Sequence, residues 1–191
     1  MNTLILVESP VKARTIAQYV DGLFDGPVQV RSTGGHLRDL PEDRLGVDVE
    51  QGFAPQYEVR NRRALSTLRP LVRQAGRVLL ATDPDREGEA IAWHIMKVFE
   101  RELAGKEVLR ATFQAVTRQA VQEGLRRPRP LDHRLVQAAV ARRVMDRLIG
   151  YHISPRLWAA VEGSDHGIGR VQAAALWMLQ EAEAWRVEVE A

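Results

Sequence analysis

The chain has 191 residues with 27 basic and 25 acidic side chains, a net charge of +2 and no cysteine. The absence of cysteine excludes a disulfide framework, a thiolate zinc site and a cysteine nucleophile. The longest apolar run, residues 173–179, is too short to cross a bilayer, and the amino terminus lacks the features of a signal peptide. We therefore expect a soluble, cytoplasmic globular protein of one or two domains.

The basic residues are unevenly distributed along the chain. Arginine accounts for 24 of the 27, which either a GC-rich coding sequence or bidentate phosphate binding explains. Residues 101–150 carry 11 basic and 5 acidic side chains, a local net charge of +6, whereas residues 151–191 carry 3 and 6, a net charge of −3. We expect the basic stretch to be the surface that nucleic acid would approach.

Strands and helices are predicted to alternate from the amino terminus. Residues 3–7 form a β-branched, apolar run typical of a buried strand, and Ser9 and Pro10 then provide the cap and first turn of a helix. A second strand is expected at residues 28–32. The polar stretch 39–55 has no hydrophobic period and is expected to be irregular.

The alternation continues to about residue 117. The next predicted elements are a helix over residues 63–75, a strand over 77–81, a helix beginning near 86 and a strand over 107–112. This order predicts a parallel sheet with helices on its faces. Every later segment is predicted to be helical, with breaks at residues 128–130, 150–155 and 162–167. The predicted fold class is therefore α/β, with an α/β domain at 1–128 and an all-helical segment at 129–191.

Acidic residues follow the third predicted strand. Asp83 and Asp85 are expected to project to the same side, because Pro84 keeps the residue before it extended. Glu87 follows in the first turn of the next helix. Carboxylates that meet at a strand end repel one another unless a cation lies among them, and Mg²⁺ prefers such oxygen ligands. The favourable charge of a helix N-terminus accounts for Glu87 and Glu89 without a metal, but not for the Asp-Pro-Asp sequence before them.

A second charged cluster follows the first predicted strand. Glu8 lies at the end of that strand, on the same predicted sheet edge as Asp83, where a carboxylate could exchange a proton with a phosphate-ester oxygen. Lys12 lies in the first turn of the next helix, where free backbone N–H groups favour an anion. These residues, with Ser9 and Pro10, predict a phosphate site beside a proton donor. Without the neighbouring acidic cluster, a plain surface position for Glu8 would fit the pattern equally well.

Six blocks of the sequence resemble, in the same order, motifs of the type IA DNA topoisomerases. The blocks are residues 7–13 (VESPVKA), 35–41 (GHLRDLP), 81–93 (ATDPDREGEAIAW), 141–151 (ARRVMDRLIGY), 154–158 (SPRLW) and 169–172 (GRVQ). A lone Asp-x-Asp occurs in other metal-dependent enzymes, whereas six ordered blocks over nearly the whole chain are specific. The resemblance implies a Toprim domain, which is a Rossmann-like parallel sheet, followed by the start of a helical domain.

The resemblance also implies roles for individual residues. Glu8 matches a glutamate that serves in acid–base chemistry at the leaving 3′ oxygen, and Lys12 matches a lysine that contacts the scissile phosphate. Arg86 and His36 complete the implied catalytic set, although a loop histidine alone is more typical of an ordinary polar residue. The residues implied to hold Mg²⁺ are Asp83, Asp85 and Glu87. The residues that match segments lining the groove for single-stranded DNA are Arg142, Arg143, Asp146, Arg170 and Gln172.

The nucleophilic tyrosine of that family has no match here. In the family it lies in a separate downstream domain, in a motif resembling Arg-Thr-Asp-Ser, whereas Tyr19, Tyr57 and Tyr151 lie in other contexts. We therefore expect the chain to act on single-stranded or negatively supercoiled DNA with tyrosine-bearing domains in cis or trans, and not at a membrane. Two alternatives stay open. One is a stand-alone, non-catalytic Toprim module with a DNA-binding or regulatory role, and the other is a Toprim nuclease or primase-like enzyme.

The remaining aromatic and imidazole side chains carry weaker signals. The histidines without metal-ligand spacing, expected to be structural or exposed, are His94, His133, His152 and His166. Trp93 and Trp177 fall at helical periods, which predicts core positions, while Trp158 stays open as a platform for base stacking.

Overall fold

The computed structural model describes residues 1–152, 156 and 170–190, which form eight strands and seven helices. The strands are β1 (Thr3–Val7), β2 (Val28–Ser32), β3 (Arg38–Asp39), β4 (Val47–Asp48), β5 (Ala54–Pro55), β6 (Glu58–Val59), β7 (Arg77–Leu80) and β8 (Glu107–Arg110). The helices are α1 (Pro10–Ala17), α2 (Arg62–Gln74), α3 (Arg86–Val98), α4 (Glu100–Leu103), α5 (Arg118–Arg126), α6 (His133–His152) and α7 (Arg170–Glu190).

The chain divides into two compact units. The first contains Met1–Pro41 and Gln56–Val140, and the second contains Glu42–Pro55 and Ala141–Ala191. The division falls within α6, and the domain boundary near residue 128 stays a prediction of the sequence. No helix among the described residues is both long and apolar enough to cross a membrane.

The first unit is built on a four-stranded parallel sheet in the order β2-β1-β7-β8. All five residues of β1 are buried, because this strand is central and helices cover both of its faces. Leu4 and Leu6 pack with α2 and α3 on one face, and Ile5 and Val7 pack with α1 and α5 on the other. Each such side chain contributes about 1.5–3 kcal/mol by its burial. The predicted α/β fold with a parallel sheet is confirmed.

Two helices begin where central strands end, and both begin with a side-chain cap. The Lys12 backbone N–H donates to Ser9 Oγ at 3.1 Å at the start of α1, directly after β1. The Gly88 N–H donates to Asp85 Oδ1 at 2.7 Å at the start of α3, after β7. Since β1 and β7 are parallel neighbours, these helix N-termini lie along one edge of the sheet. We call this carboxyl-terminal edge the rim.

Three details differ from the sequence predictions. Residues 39–55 were expected to be irregular, yet β4 and β5 pair there as a short antiparallel hairpin. Helix α6 continues through Gly150 to His152. The core position predicted for Trp177 is wrong, because this side chain is 63% exposed on α7. A run of seven apolar residues has no polar face, so its period cannot select the buried side. Trp158, His166 and the predicted break at 162–167 lie outside the described residues.

Candidate active site

The loop from β7 into α3 holds its shape through a glycine that no other residue could replace. A Cβ at Gly88 would lie 2.1 Å from the Asp83 carbonyl oxygen. The Thr82 hydroxyl donates to the Gly88 carbonyl at 2.5 Å and ties the loop to the first turn of α3. As a result, the Asp-Pro-Asp segment folds back against the helix start and presents its carboxylates at the rim.

Glu8, Lys12 and Asp83 meet at the rim. The Lys12 ammonium contacts a carboxylate oxygen of Glu8 and one of Asp83, joining the ends of β1 and β7. Burial alone lowers the pKa of Lys12, but hydrogen bonds with Asp83 and Glu8 hold that pKa above its ordinary value. Lys12 is therefore a fixed positive charge between two carboxylates that sequence reasoning placed on the same edge.

Glu8 keeps one oxygen without a partner. Its side chain is 14% exposed, and Oε2 is buried with no hydrogen bond in the described part of the chain. Its backbone carbonyl accepts hydrogen bonds from the Ser32 hydroxyl at 3.0 Å and the Gly35 N–H at 2.8 Å. The backbone of Glu8 is thus held by the loop after β2, while one carboxylate oxygen has no hydrogen bond among the described residues.

His36 lies on that same loop and contacts the start of α3. Its Nε2 is 2.7 Å from Glu87 Oε1. The loop reaches α3 because Gly34 and Gly35 have φ angles of +70° and +96°, a region that favours glycine. The structure therefore brings His36 and Glu87 together. Arg86 is exposed at the first residue of α3.

The three predicted metal ligands each contact a different group. Asp83 contacts Lys12, Asp85 caps α3 and Glu87 contacts His36. No group of three His, Cys, Asp or Glu side chains within residues 1–152, 156 and 170–190 is arranged to hold a metal ion. All three residues remain at the rim, and Asp83 and Glu87 are 50% and 61% exposed, which leaves their side chains free to reorient.

A buried ion-pair triad beneath the loop was missed by sequence reasoning. Glu89 is fully buried and contacts the guanidinium groups of Arg110 and Arg129, each at 2.9 Å. Burial alone raises the pKa of Glu89, but hydrogen bonds from Arg129, the Asp132 backbone and Arg110 hold that pKa below its ordinary value. An arginine inside a predicted strand of a parallel sheet covered by helices is a signal for such a partner, because an unpaired charge is rarely buried.

Arg110 also fixes the backbone that leads to the acidic residues. Its guanidinium donates to the carbonyl oxygens of Leu80 at 2.6 Å, Thr82 at 3.2 Å and Asp83 at 3.0 Å. The triad therefore supports the rim, because one arginine binds both the Glu89 carboxylate and three backbone carbonyl groups between Leu80 and Asp83.

Comparisons with known proteins agree with this architecture. A model of the Toprim domain matches residues 3–116, which include the whole sheet and the rim. The chain belongs to the Toprim family. It is also similar to full-length topoisomerase I from Thermotoga maritima, with 38% sequence identity and a TM-score of 0.81. That match covers 95% of this chain and 30% of the Thermotoga enzyme, and it confirms the resemblance to type IA topoisomerases inferred from the six blocks.

A cationic and aromatic cluster lies beside His36 in the Toprim domain. The Arg38 guanidinium lies 4.8 Å from the Tyr57 ring centroid and 4.7 Å from that of Trp93, and its Nε donates to His94 Nδ1 at 2.6 Å. The rings of His36 and His94 lie 6.0 Å apart. Burial, together with the positive charge of Arg38, lowers the pKa of His94 from 6.5 to about 3. His94 is consequently a neutral acceptor for Arg38.

The depressed pKa of His94 predicts a loss of stability in mild acid. Between pH 6.5 and about 3 the unfolded chain binds the proton and the folded chain does not, so stability falls as pH falls. From pH 7 to pH 5 we expect a loss of about 2 kcal/mol from this group. Urea unfolding at both pH values measures it, and His94→Gln should remove that increment while His133→Gln, at an exposed site on α6, should keep it. Equal pH dependence in both variants would contradict the assignment.

The residues predicted to bind DNA lie in the second compact unit. Arg142 and Arg143 are exposed on α6, and Arg142 Nε is 3.7 Å from Asp146 Oδ2. Arg170 is the first residue of α7, and Gln172 is exposed on the same helix. The two arginines of α6 lie within residues 101–150, the stretch with a net charge of +6. Of the block at residues 154–158, only Arg156 is described, and it is exposed.

Proposed function

We propose that this chain is the magnesium-dependent Toprim part of a type IA DNA topoisomerase. It contributes metal and acid–base chemistry to the cleavage and religation of single strands in negatively supercoiled DNA. It acts in the cytoplasm with a tyrosine-bearing domain, joined in cis or supplied in trans. The observation that carries the proposal is the meeting of Glu8, Lys12 and Asp83 at the rim of a Toprim sheet.

Glu8 and Lys12 would act directly on the scissile phosphodiester. Tyrosine attack breaks the bond from phosphorus to the 3′ oxygen, and that oxygen needs a proton as it leaves. Glu8 suits this transfer because its carboxylate lies at the rim beside Lys12 and its Oε2 has no hydrogen-bond partner among the described residues. Lys12 is held cationic by its neighbours, so it can bind the phosphate as a positive charge.

The acidic residues fit a magnesium ion in their donor chemistry. Asp83, Asp85 and Glu87 supply only carboxylate oxygens, and Mg²⁺ binds through one or two carboxylates with phosphate and water completing its shell. The Lys12 ammonium lies between the carboxylates of Glu8 and Asp83, so a positive charge is already accommodated beside this cluster. When bound, Mg²⁺ supplies Lewis-acid stabilisation of the phosphoryl oxygens.

The other predicted residues take positioning and strand-binding roles in this proposal. His36 would orient Glu87 through their contact at 2.7 Å, and Arg86, exposed at the start of α3, would reach the phosphate. The residues of the second unit proposed to contact the single strand are Arg142, Arg143, Asp146, Arg170 and Gln172.

Reconstitution with the missing nucleophile tests the function. The chain is mixed with the part of the Thermotoga maritima topoisomerase I that it does not match, and relaxation of negatively supercoiled plasmid is measured with and without Mg²⁺. We expect Mg²⁺-dependent relaxation from the mixture and no covalent protein–DNA adduct from this chain alone. The double variant Asp83→Asn/Asp85→Asn should lose relaxation and calorimetric Mg²⁺ binding. Asp21→Asn/Asp25→Asn, the same change at exposed positions, should keep both.

The other outcomes separate the alternatives. Hydrolysis of a single-stranded oligonucleotide by this chain alone, without an adduct, would instead assign a Toprim nuclease. Absence of carboxylate-dependent Mg²⁺ binding, together with DNA binding, would assign a non-catalytic module.

A further inference from the structure

A groove of about 280 Å³ opens beside the rim, at the carboxyl end of β2. Its walls include Arg31, Ser32 and Gly34 from β2 and the following loop, and Asn61 and Arg63 from the start of α2. A groove of this volume is large enough for a charged group larger than a simple ion.

The groove has the chemistry of an anion site. Its lining includes two arginines and no carboxylate, and all of its lining residues belong to the first compact unit. Among the described residues neither the Arg31 nor the Arg63 guanidinium forms an ion pair, and Arg31 donates only to the Val30 carbonyl at 2.9 Å. By contrast, Lys12 and Arg110 are paired with carboxylates. Two unpaired guanidinium groups in one concave space favour an anion with several oxygens.

Hydrogen bonds connect the lining of the groove to the backbone of Glu8, a candidate catalytic residue. The Ser32 hydroxyl donates to the Glu8 carbonyl at 3.0 Å and accepts from the Gly34 N–H at 3.0 Å. Pro10, which follows Glu8 and Ser9 at the start of α1, also lines the groove. The groove is therefore next to the chain segment that carries Glu8 and Lys12, so a strand bound there could continue into the groove.

The walls also indicate which part of a nucleic acid binds. No aromatic side chain lines the groove, so it offers no platform on which a base could stack. Asn61 is committed to the chain itself, since its Oδ1 accepts from the Ala64 N–H at 2.9 Å and its Nδ2 donates to the Thr33 carbonyl at 3.4 Å. Guanidinium groups without base-reading neighbours bind phosphate and carry no sequence information.

We propose that this groove binds the phosphodiester backbone of the DNA strand beside the scissile phosphate, through Arg31 and Arg63. This rests on the proposed function, because the strand reaches the groove from the rim. The groove holds the strand in register with Glu8 and Lys12, and it does so for any base sequence.

The salt dependence of oligonucleotide binding tests the groove. Binding of a fluorescein-labelled single-stranded oligonucleotide to the whole chain is measured by anisotropy over a range of salt concentrations. Loss of two phosphate contacts in Arg31→Gln/Arg63→Gln should reduce the slope of log K against log salt by about 1.4. Affinity should fall roughly 10- to 100-fold. The matched control is Arg14→Gln/Arg126→Gln, which removes the same charge from exposed positions near the ends of α1 and α5 and should keep the wild-type slope.

A second readout locates the contact. Amide NMR signals of Ser32, Thr33 and Gly34 should shift on addition of the oligonucleotide. Equal salt slopes for both double variants, or no shift at these amides, would contradict the proposal that the groove binds the phosphodiester backbone. Shifts produced by inorganic phosphate but not by the oligonucleotide would also overturn it, because they assign a free-anion site. DNA relaxation by the reconstituted mixture is measured separately. If relaxation is intact but the groove variants bind DNA like the controls, only the groove proposal is wrong and the proposed function is unaffected.

Discussion

Replacing Glu89 with alanine is expected to lower the free energy of unfolding by about 3–5 kcal/mol. The carboxylate is fully buried between Arg110 and Arg129, and Arg110 is itself 1% exposed. Removing the acid leaves the Arg110 guanidinium buried without its counter-charge, and desolvation of an unpaired charge is the dominant cost. Urea unfolding followed by circular dichroism measures the loss at pH 7.

The control for Glu89→Ala is a solvent-exposed Glu–Arg ion pair in the same chain. Glu123 of α5 lies 3.3 Å from Arg127, the residue that follows this helix, and both side chains are mostly exposed. Glu123→Ala should therefore change the free energy of unfolding by about 0.5 kcal/mol or less. If Glu89→Ala lowers the free energy of unfolding no more than Glu123→Ala does, the buried triad does not stabilise the fold and does not support the rim. An intermediate loss in Glu89→Gln would separate the lost charge from the lost packing.

The rim could be predicted from sequence because it follows from strand geometry. A continuous apolar run marks β1 and another marks β7, and both lead directly into a capped helix. The carboxyl ends of parallel strands meet at one edge of a sheet, which placed Glu8 and Asp83 on the same edge, and the pairing of β1 with β7 brings the two together. The contact of Lys12 with both carboxylates agrees with that expectation.

The partners of the acidic residues could not be predicted in the same way. Glu87 and Glu89 are two residues apart, which turns them about 200° from each other on a helix. One is therefore 61% exposed beside His36, while the other is fully buried against Arg110. Helix-terminus electrostatics accounts for both acids equally, so it does not distinguish the exposed Glu87 from the buried Glu89. The partner, Arg110, comes from a strand 21 residues away.

Replacing Glu8 with glutamine should reduce DNA cleavage in the reconstituted mixture by about 10²- to 10⁴-fold. Glutamine has the size of glutamate and can still hydrogen-bond near Lys12, but it cannot give up or take a proton at the leaving oxygen. Oligonucleotide binding and the free energy of unfolding should therefore change little. The rate of adduct formation, measured in single turnovers with excess protein, reports the chemical step separately from binding.

The pattern of these three measurements distinguishes proton transfer from simple positioning. A residue that only holds Lys12 in place would, when changed, weaken DNA binding together with cleavage, because Lys12 is the charge proposed to contact the phosphate. Loss of a proton donor would instead lower the cleavage rate at saturating DNA and leave DNA binding unchanged. Glu123→Gln, at an exposed site on α5, should leave all three measurements unchanged. Wild-type cleavage by Glu8→Gln would move the proton-transfer role to another group at the rim, with His36 as the next candidate because its ring lies against Glu87.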